Sequence, residues 1–217
     1  LPTGAVTNGA VPQAPRRDGA RKRRQERAQR LDRTAYESVD EEVEDEELSH
    51  GIRLPGRLWQ KLYEHQRVCV DWLCGLHAQE VGGIIGDDMG LGKTLQVVSL
   101  FAALQRSGQA GACLVVAPAT VLRQWKREIN RWAPEIKTVA ILHSSGGVDS
   151  SERVATVRRV CAAQAASACT VLVTSYEMMR LQASVLLAQR WQYVVLDEGH
   201  KIRNPDAEVT LVAKRVN

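Results

Sequence analysis

Residues 86–94 read Gly-Asp-Asp-Met-Gly-Leu-Gly-Lys-Thr, and this glycine-rich stretch decides the fold. A short apolar segment, residues 82–86, precedes it, and apolar residues at helical spacing from Thr94 to Leu104 follow it. A tight turn between a buried strand and a helix brings backbone N–H groups and the positive end of the helix dipole to one point. The stretch therefore predicts a phosphate-binding loop.

Each residue type in this loop has a task in binding a nucleotide. Gly90 and Gly92 permit a tight bend because neither has a Cβ. Lys93 is placed to reach the β- and γ-phosphates of ATP, and the Thr94 hydroxyl to coordinate Mg²⁺. Asp87 stands where the general phosphate-loop pattern has glycine, so the loop is not a strict Walker sequence. The predicted nucleotide contacts in the loop are Asp88, Met89, Gly90, Leu91, Gly92, Lys93 and Thr94.

A second segment, about a hundred residues later, supplies carboxylates. Residues 194–200 read Val-Val-Leu-Asp-Glu-Gly-His, an apolar strand that ends in two adjacent acids. In an ATPase such a pair provides an aspartate for Mg²⁺ and a glutamate that orients and deprotonates the attacking water. We expect Asp197 and Glu198 in these roles, and His200 beside them as a nucleotide sensor. The predicted catalytic residues are Lys93, Asp197, Glu198 and His200, with Thr94 and Asp197 as the Mg²⁺ ligands.

The pattern beyond residue 50 predicts an α/β fold. Short apolar strands alternate with helical segments, which is typical of a parallel sheet with helices on both faces. Thr120 and Ser175 are expected to cap the helices that follow them. Ligands in such sheets bind beyond the carboxyl ends of the strands, where both chemical segments fall. The predicted strands after the loop are 112–117, 138–142, 170–174 and 191–196.

Residues 1–50 have a different composition, and we expect a disordered tail followed by a folded part over 51–217. Basic residues concentrate in 16–33 and acidic residues in 37–47, and such blocks bury too little apolar surface to fold. The basic block is a nuclear import signal, a phosphate-binding arm or a solvated linker. No apolar run is long enough to cross a bilayer. Because the chain starts at Leu1 and stops before the fold is finished, we expect a fragment.

Four segments resemble motifs of the SWI/SNF-type DNA translocases, a branch of the superfamily-two helicases. Residues 87–96 resemble their motif I, 115–125 (Val-Val-Ala-Pro-Ala-Thr-Val-Leu-Arg-Gln-Trp) their motif Ia, 173–177 (Val-Thr-Ser-Tyr-Glu) their motif Ib, and 197–200 their motif II. His65-Gln66-Arg67 is similar to the adenine-reading segment, which makes Gln66 the candidate adenine contact. Gly199, with residues 201–207 and 54–59, resembles the transcription-coupled repair branch of the family.

This resemblance implies the first RecA-like lobe of a P-loop NTPase, with ATP and Mg²⁺ as cofactors. It also implies tracking along double-stranded DNA in the nucleus, with nucleosomes or the RNA polymerase II machinery as the setting, in chromatin remodelling or DNA repair. The family has a second lobe that completes the site, so the chain alone is expected to be nearly inactive. The candidates for DNA phosphate contacts are Arg123, Lys126, Ser175, Tyr176 and Lys201.

Two other classes of function remain open at the level of sequence. One alternative is another P-loop enzyme, such as a nucleotide kinase or a GTPase. Stimulation of hydrolysis by duplex DNA would distinguish a DNA translocase from these enzymes. The other alternative is a non-catalytic interaction module with a vestigial ATP site, in which case replacing Lys93 leaves its function intact.

Overall fold

The computed structural model describes residues 43–143, 150–162 and 168–216. The predicted tail therefore lies outside the described residues as far as residue 42. Its last part, residues 43–50, belongs to the folded unit, which begins at Val43. Here β1 (Glu46–Glu47) pairs antiparallel with β2 (Arg53–Leu54) around a 3₁₀ turn. The structure thus moves the expected boundary from residue 50 to residue 43.

Residues 43–50 are held by specific contacts despite their acidic composition. The Leu48 side chain is buried in the core. The Ser49 backbone N–H and hydroxyl donate to the carboxylate of Asp71 at 2.7 and 2.9 Å, and Arg106 donates to Asp45 at 2.5 Å. The charge pattern did not reveal this segment, because it is held by one buried leucine, the pairing of Asp45 with Arg106 and the bonds of Ser49 to Asp71.

Four parallel strands form the main sheet, in the order β4-β5-β3-β6. Val115 of the central strand β3 pairs with Val173 on one side and Val195 on the other. The inner strands β3 and β5 are buried throughout, as predicted for a sheet covered on both faces, whereas β4 and β6 at the edges are mostly only partly buried. The strands are β3 (Ala112–Ala117), β4 (Thr138–Leu142), β5 (Thr170–Ser175) and β6 (Tyr193–Leu196).

Helices cover both faces of this sheet. Alternate residues of β3 point into different cores: Val115 packs with the helices on one face and Leu114 with those on the other. The first core is covered by α1 (Gly56–Trp59), α2 (Glu64–Ala78), α3 (Lys93–Arg106) and α4 (Leu122–Trp132). The second core is covered by α5 (Ser150–Ala162), α6 (Tyr176–Leu181), α7 (Ala183–Leu187) and α8 (Glu208–Ala213). The predicted α/β class and the two covered faces are confirmed.

The predicted strand over 82–86 is wrong. This segment has no regular secondary structure, and the Ile84 side chain is 90% exposed. Gly83 lies against α2, where an added Cβ would come within 2.4 Å of Leu76 and 2.8 Å of Trp72. Glycines contribute no side chain to a sheet and lose the most entropy on ordering, so apolar neighbours alone do not make a strand here.

The predicted helix ends are only partly right. The Ser175 hydroxyl accepts from the backbone N–H of Met178 at 3.1 Å and caps α6, as expected. Thr120 caps no helix, because it lies within a 3₁₀ turn (Ala119–Val121) and α4 begins at Leu122 without a side-chain cap. The segment after Ser175 forms two short helices, α6 and α7, which divide at Gln182.

None of the helices within the described ranges is both long and apolar enough to cross a membrane.

Candidate functional site

The orientation of α3 brings the loop and the carboxylates to one end of the sheet. The ring of Phe101 lies 6.3 Å from that of Tyr193, the first residue of β6, and the Gln105 side chain accepts from the backbone N–H of Cys169 just before β5. The late part of α3 therefore lies at the amino ends of the strands. Lys93, the first residue of α3, lies roughly 12 Å from Phe101 along the helix axis, at about 1.5 Å per residue, in the direction of the carboxyl ends of the strands. Asp197 is roughly 13 Å beyond Tyr193 at about 3.3 Å per residue, so Lys93 and Asp197 lie at the same end.

The glycine loop is held against the start of α2. Gly90 and Gly92 have φ values of +89° and +84°, a region that residues with a Cβ rarely adopt. The Leu91 carbonyl accepts from the Gln66 side-chain amide at 3.0 Å, and His65 Nε2 lies 3.2 Å from the same oxygen. These contacts fix the bend of the loop from outside.

Gln66 uses both ends of its side-chain amide within the protein. Its oxygen accepts from the Tyr63 backbone N–H at 3.0 Å, while its nitrogen donates to Leu91. The side chain is 4% exposed. The contact that the structure shows for Gln66 is a brace for the phosphate loop, and the adenine contact expected from the sequence stays a prediction.

Lys93 begins α3, with its ammonium group folded over the loop. Its Nζ donates to the carbonyl oxygens of Asp87 at 2.6 Å and Asp88 at 2.9 Å. Thr94 follows in the first turn of the helix and is partly buried. The Met89 side chain is 90% exposed. Lys93 and Thr94 are thus the first two residues of the helix, at the N-terminus where the helix dipole favours anions.

The departure from the Walker pattern at Asp87 has a structural explanation. The Asp87 carboxylate accepts from the side-chain amide of Gln96, a buried residue of α3, at 2.7 Å. Its charge is therefore turned toward the helix while its backbone carbonyl meets Lys93. Gln96 was not singled out from the sequence, because nothing in the spacing shows that it pairs with the loop.

Asp197 is held at three points. Its backbone N–H donates to the Val116 carbonyl at 2.8 Å, which continues the β3–β6 ladder. Its Oδ2 accepts from the indole N–H of Trp125 at 2.8 Å, and its carbonyl accepts from the Tyr176 hydroxyl at 2.7 Å. Burial, with smaller contributions from the charges of Asp197 and Glu198, raises the pKa of Tyr176 to about 12. Tyr176 therefore stays protonated at neutral pH and acts as a donor.

Glu198 stands in a left-handed turn beside His200. Its backbone has φ 57° and ψ 56°, which costs a residue with a Cβ about 1–2 kcal/mol. The turn ends the strand and leaves the Glu198 side chain exposed next to Asp197. His200 Nδ1 lies 3.3 Å from a Glu198 carboxylate oxygen. The two residues predicted for water activation and nucleotide sensing are thus in direct contact.

The candidates for DNA phosphate contacts divide into two groups. Arg123 and Lys201 are exposed and Lys126 is partly buried, so all three have access to a ligand. Ser175 and Tyr176 are 5% and 8% exposed, and their hydroxyls are engaged with Met178 and Asp197. The two hydroxyls are thus engaged within the protein, that of Ser175 at the start of α6 and that of Tyr176 at Asp197, and contacts of these residues with DNA stay a prediction.

Trp125 was predicted only as an apolar position of α4. A buried indole N–H needs an acceptor, and that requirement was the available signal for a polar partner. The sequence does not tell which acceptor it meets, because Asp197 lies 72 residues away along the chain.

The residues at this end of the sheet fit ATP and Mg²⁺. An ammonium group and backbone amides at a helix N-terminus suit phosphate, and hydroxyl and carboxylate oxygens suit a hard cation. The loop also has no room for a side chain at Gly92, because a Cβ there would lie 2.3 Å from Gln66 Nε2. Lys93, Thr94 and Asp197 are the residues that would hold the two ligands.

Comparison with known proteins agrees with this geometry. Residues 65–217 match the family described as SNF2-related domain. The chain belongs to the SNF2-related domain family. The match begins at His65, next to Gln66, and includes both the phosphate loop and the carboxylate pair.

Among SNF2-related proteins, the chain is similar to several named for DNA repair. It is 41% identical to the DNA excision repair protein CSB of Oryza sativa subsp. japonica over 201 residues, which cover 81% of this chain and 17% of that protein. It is 37% identical to the DNA repair and recombination protein RAD26 of Saccharomyces cerevisiae over 212 residues, which cover 80% of this chain and 19% of that protein. The chain therefore spans less than a fifth of these relatives.

A solved structure shares the fold. The Sulfolobus solfataricus SWI2/SNF2 ATPase core in complex with dsDNA matches with a TM-score of 0.59 and 24% identity, covering 72% of this chain and 30% of that one. A second solved structure, the Sulfolobus solfataricus SWI2/SNF2 ATPase core domain, matches with a TM-score of 0.55 and 23% identity, covering 83% of this chain and 32% of that one. The RecA-like α/β fold expected from the sequence is confirmed by these likenesses.

Proposed function

We propose that the chain is the ATP-binding lobe of a DNA-dependent ATPase that translocates on double-stranded DNA. The observation that carries the proposal is the placement of Lys93 and Asp197 at the same end of the sheet, within an SNF2-related domain. A nucleotide kinase or GTPase is less well supported, because the family match covers the loop and the carboxylates together.

The side chains at this end divide the work of ATP hydrolysis. Lys93 binds phosphate oxygens once its ammonium group leaves the carbonyls of Asp87 and Asp88. Thr94 and Asp197 hold Mg²⁺, which supplies charge neutralisation at the phosphates when bound. The Glu198 carboxylate orients a water and accepts its proton, and His200 is placed to respond to the state of that carboxylate through their 3.3 Å contact.

The ATPase is proposed to move along duplex DNA, with Arg123, Lys126 and Lys201 contacting the DNA phosphates. Support comes from the named DNA complex of the structural relative and from the exposure of Arg123 and Lys201. These cations hold phosphates rather than bases, as expected for a motor that follows the backbone.

The proposed setting is chromatin remodelling and transcription-coupled DNA repair in the nucleus, with nucleosomes and the RNA polymerase II machinery as partners. Support comes from relatives named DNA excision repair protein ERCC-6 in Homo sapiens and ISWI chromatin-remodeling complex ATPase ISW2 in Saccharomyces cerevisiae. Repair is favoured over remodelling, because the chain is 40% identical to the human repair protein and 35% identical to the yeast remodelling ATPase.

We also propose that this chain alone hydrolyses ATP poorly. The chain covers only 17% of its rice relative, and the resemblance places an arginine finger on a second lobe. Such a residue is typically worth about 10³ to 10⁵ in rate.

Glu198→Gln is the test of the proposed chemistry. The variant should bind ATP like the wild type but lose duplex-DNA-stimulated hydrolysis in the longer protein, because the amide cannot accept the proton of water. Glu177→Gln, at an exposed position of α6, is the matched control and should retain activity. Undiminished hydrolysis by Glu198→Gln would contradict the assignment, and full function of Lys93→Ala would favour the interaction-module alternative.

A further inference from the structure

Trp125, the last residue of the segment that resembles motif Ia, contacts a residue of the candidate metal site. The indole N–H points from α4 to Oδ2 of Asp197 at 2.8 Å, and the Trp125 side chain is 3% exposed. A hydrogen bond to an ionised acceptor is about twice as strong as a neutral one, and burial protects it from competing water. The contact is therefore strong enough to orient the carboxylate.

The backbone of Asp197 is already fixed by other groups. Its N–H donates to Val116 at 2.8 Å and its carbonyl accepts from Tyr176 at 2.7 Å. What remains free is rotation of the side chain. Trp125 removes that freedom by taking Oδ2, and among the hydrogen bonds of the described residues Oδ1 has none, so it is available to a cation.

We propose that Trp125 is a positioning residue for Mg²⁺, acting through Asp197. The inference rests on the proposed function, in which Asp197 is a metal ligand. Groups that hydrogen-bond metal-ligating carboxylates orient them, and their loss typically lowers metal affinity 10- to 100-fold. Without the indole N–H, Asp197 samples orientations that do not meet the cation.

The test is nucleotide binding by the 217-residue chain in the presence and absence of Mg²⁺. The probe is a fluorescent ADP analogue, titrated at several Mg²⁺ concentrations and in EDTA. Trp125→Phe keeps an aromatic ring but removes the donor, and it should raise the Mg²⁺ concentration for half-maximal binding about tenfold. Affinity in EDTA should stay unchanged, which a general loss of structure would not allow.

Trp132→Phe is the matched control. Trp132 lies on the same helix, and its indole N–H donates to a carboxylate oxygen of Glu128 at 2.7 Å, in an ordinary contact within α4. This variant should leave the Mg²⁺ dependence as it is in the wild type. An equal shift for Trp132→Phe and Trp125→Phe would overturn the proposal.

Replacing Trp125 with benzothienylalanine removes only the N–H and keeps the ring shape, so it tests the donor even where phenylalanine disturbs packing. A wild-type Mg²⁺ dependence in this variant would overturn the proposal. Asp197→Ala separates this outcome from failure of the proposed function. If Asp197→Ala removes the Mg²⁺ dependence while the Trp125 variants do not change it, the positioning role alone is wrong. If Asp197→Ala has no effect, the metal role of Asp197 is wrong as well.

Discussion

Gly92 and Gln66 approach so closely that a Cβ on Gly92 would lie 2.3 Å from the Gln66 side-chain nitrogen. Gly92→Ala should therefore destabilise the chain by roughly 3 kcal/mol, from the positive φ and from displacement of Gln66. It should also abolish nucleotide binding, because Gln66 braces the loop through Leu91. Denaturant unfolding and nucleotide titration measure the two effects.

Gly90→Ala and Gly108→Ala are the controls for that prediction. Both glycines have positive φ but open space around the missing Cβ, so each substitution should cost only about 1 kcal/mol. Gly108 follows the far end of α3, and its variant should bind nucleotide normally. A cost for Gly92→Ala no larger than for Gly90→Ala would show that the contact with Gln66 is loose.

Lys93→Ala should separate binding from stability. Its ammonium group contacts only backbone carbonyls of the loop among the hydrogen bonds described, so the free energy of unfolding should change by less than about 0.5 kcal/mol. Nucleotide affinity should fall about 10- to 100-fold, as expected for one charged hydrogen-bonding group. Lys137→Ala, which removes a similar bond to the Pro134 carbonyl outside the loop, should change neither quantity. Strong destabilisation by Lys93→Ala would contradict this expectation.

Removal of residues 43–50 should weaken the fold. A chain that begins at residue 51 loses burial of Leu48 and the bonds of Ser49 to Asp71, together worth about 3 kcal/mol. A chain that begins at residue 43 keeps these contacts. Urea unfolding of the two truncated chains, compared with the whole chain, measures the difference. Equal midpoints would show that the segment adds nothing to stability.

Relief of the left-handed backbone at Glu198 should stabilise the chain. Glu198→Gly removes about 1–2 kcal/mol of strain from the folded state. The added conformational entropy of the unfolded chain costs about 0.4–1 kcal/mol, so the net gain in stability is at most about 1.6 kcal/mol. Glu80→Gly, at φ 57° after α2, should give a similar gain and leave hydrolysis intact, whereas Glu198→Gly should abolish it. Thermal unfolding and ATPase rates measure both. A stability loss in the two variants would refute the strain argument.

Sequence patterns located the elements whose signal is local. The strands 112–117 and 138–142 were predicted to the residue, because short, mostly apolar runs bounded by turn residues are typical of strands in a covered parallel sheet. The α3 helix and the Ser175 cap followed from spacing and hydroxyl chemistry in the same way. The two motifs at the carboxyl end of the sheet were also readable, because their residue types are fixed by phosphate and Mg²⁺ chemistry.

The remaining features depend on partners far along the chain. Residues 82–86 look like a strand until the contact of Gly83 with Trp72 and Leu76 is known. Tyr176 looks like an exposed DNA contact until its hydroxyl meets Asp197. Local composition carries no information about such pairs, and the same limit concealed the role of Trp125.

The three-point attachment of Asp197 has a consequence for the order of folding. The loop contact between Gln66 and Leu91 spans 25 residues, whereas the contact of Asp197 with Trp125 spans 72. Contacts between distant segments form slowly because loop closure must come first. During synthesis the phosphate loop is available long before the carboxylate emerges. The newly made chain therefore forms the contact between Gln66 and Leu91 early and the contacts of Asp197 last.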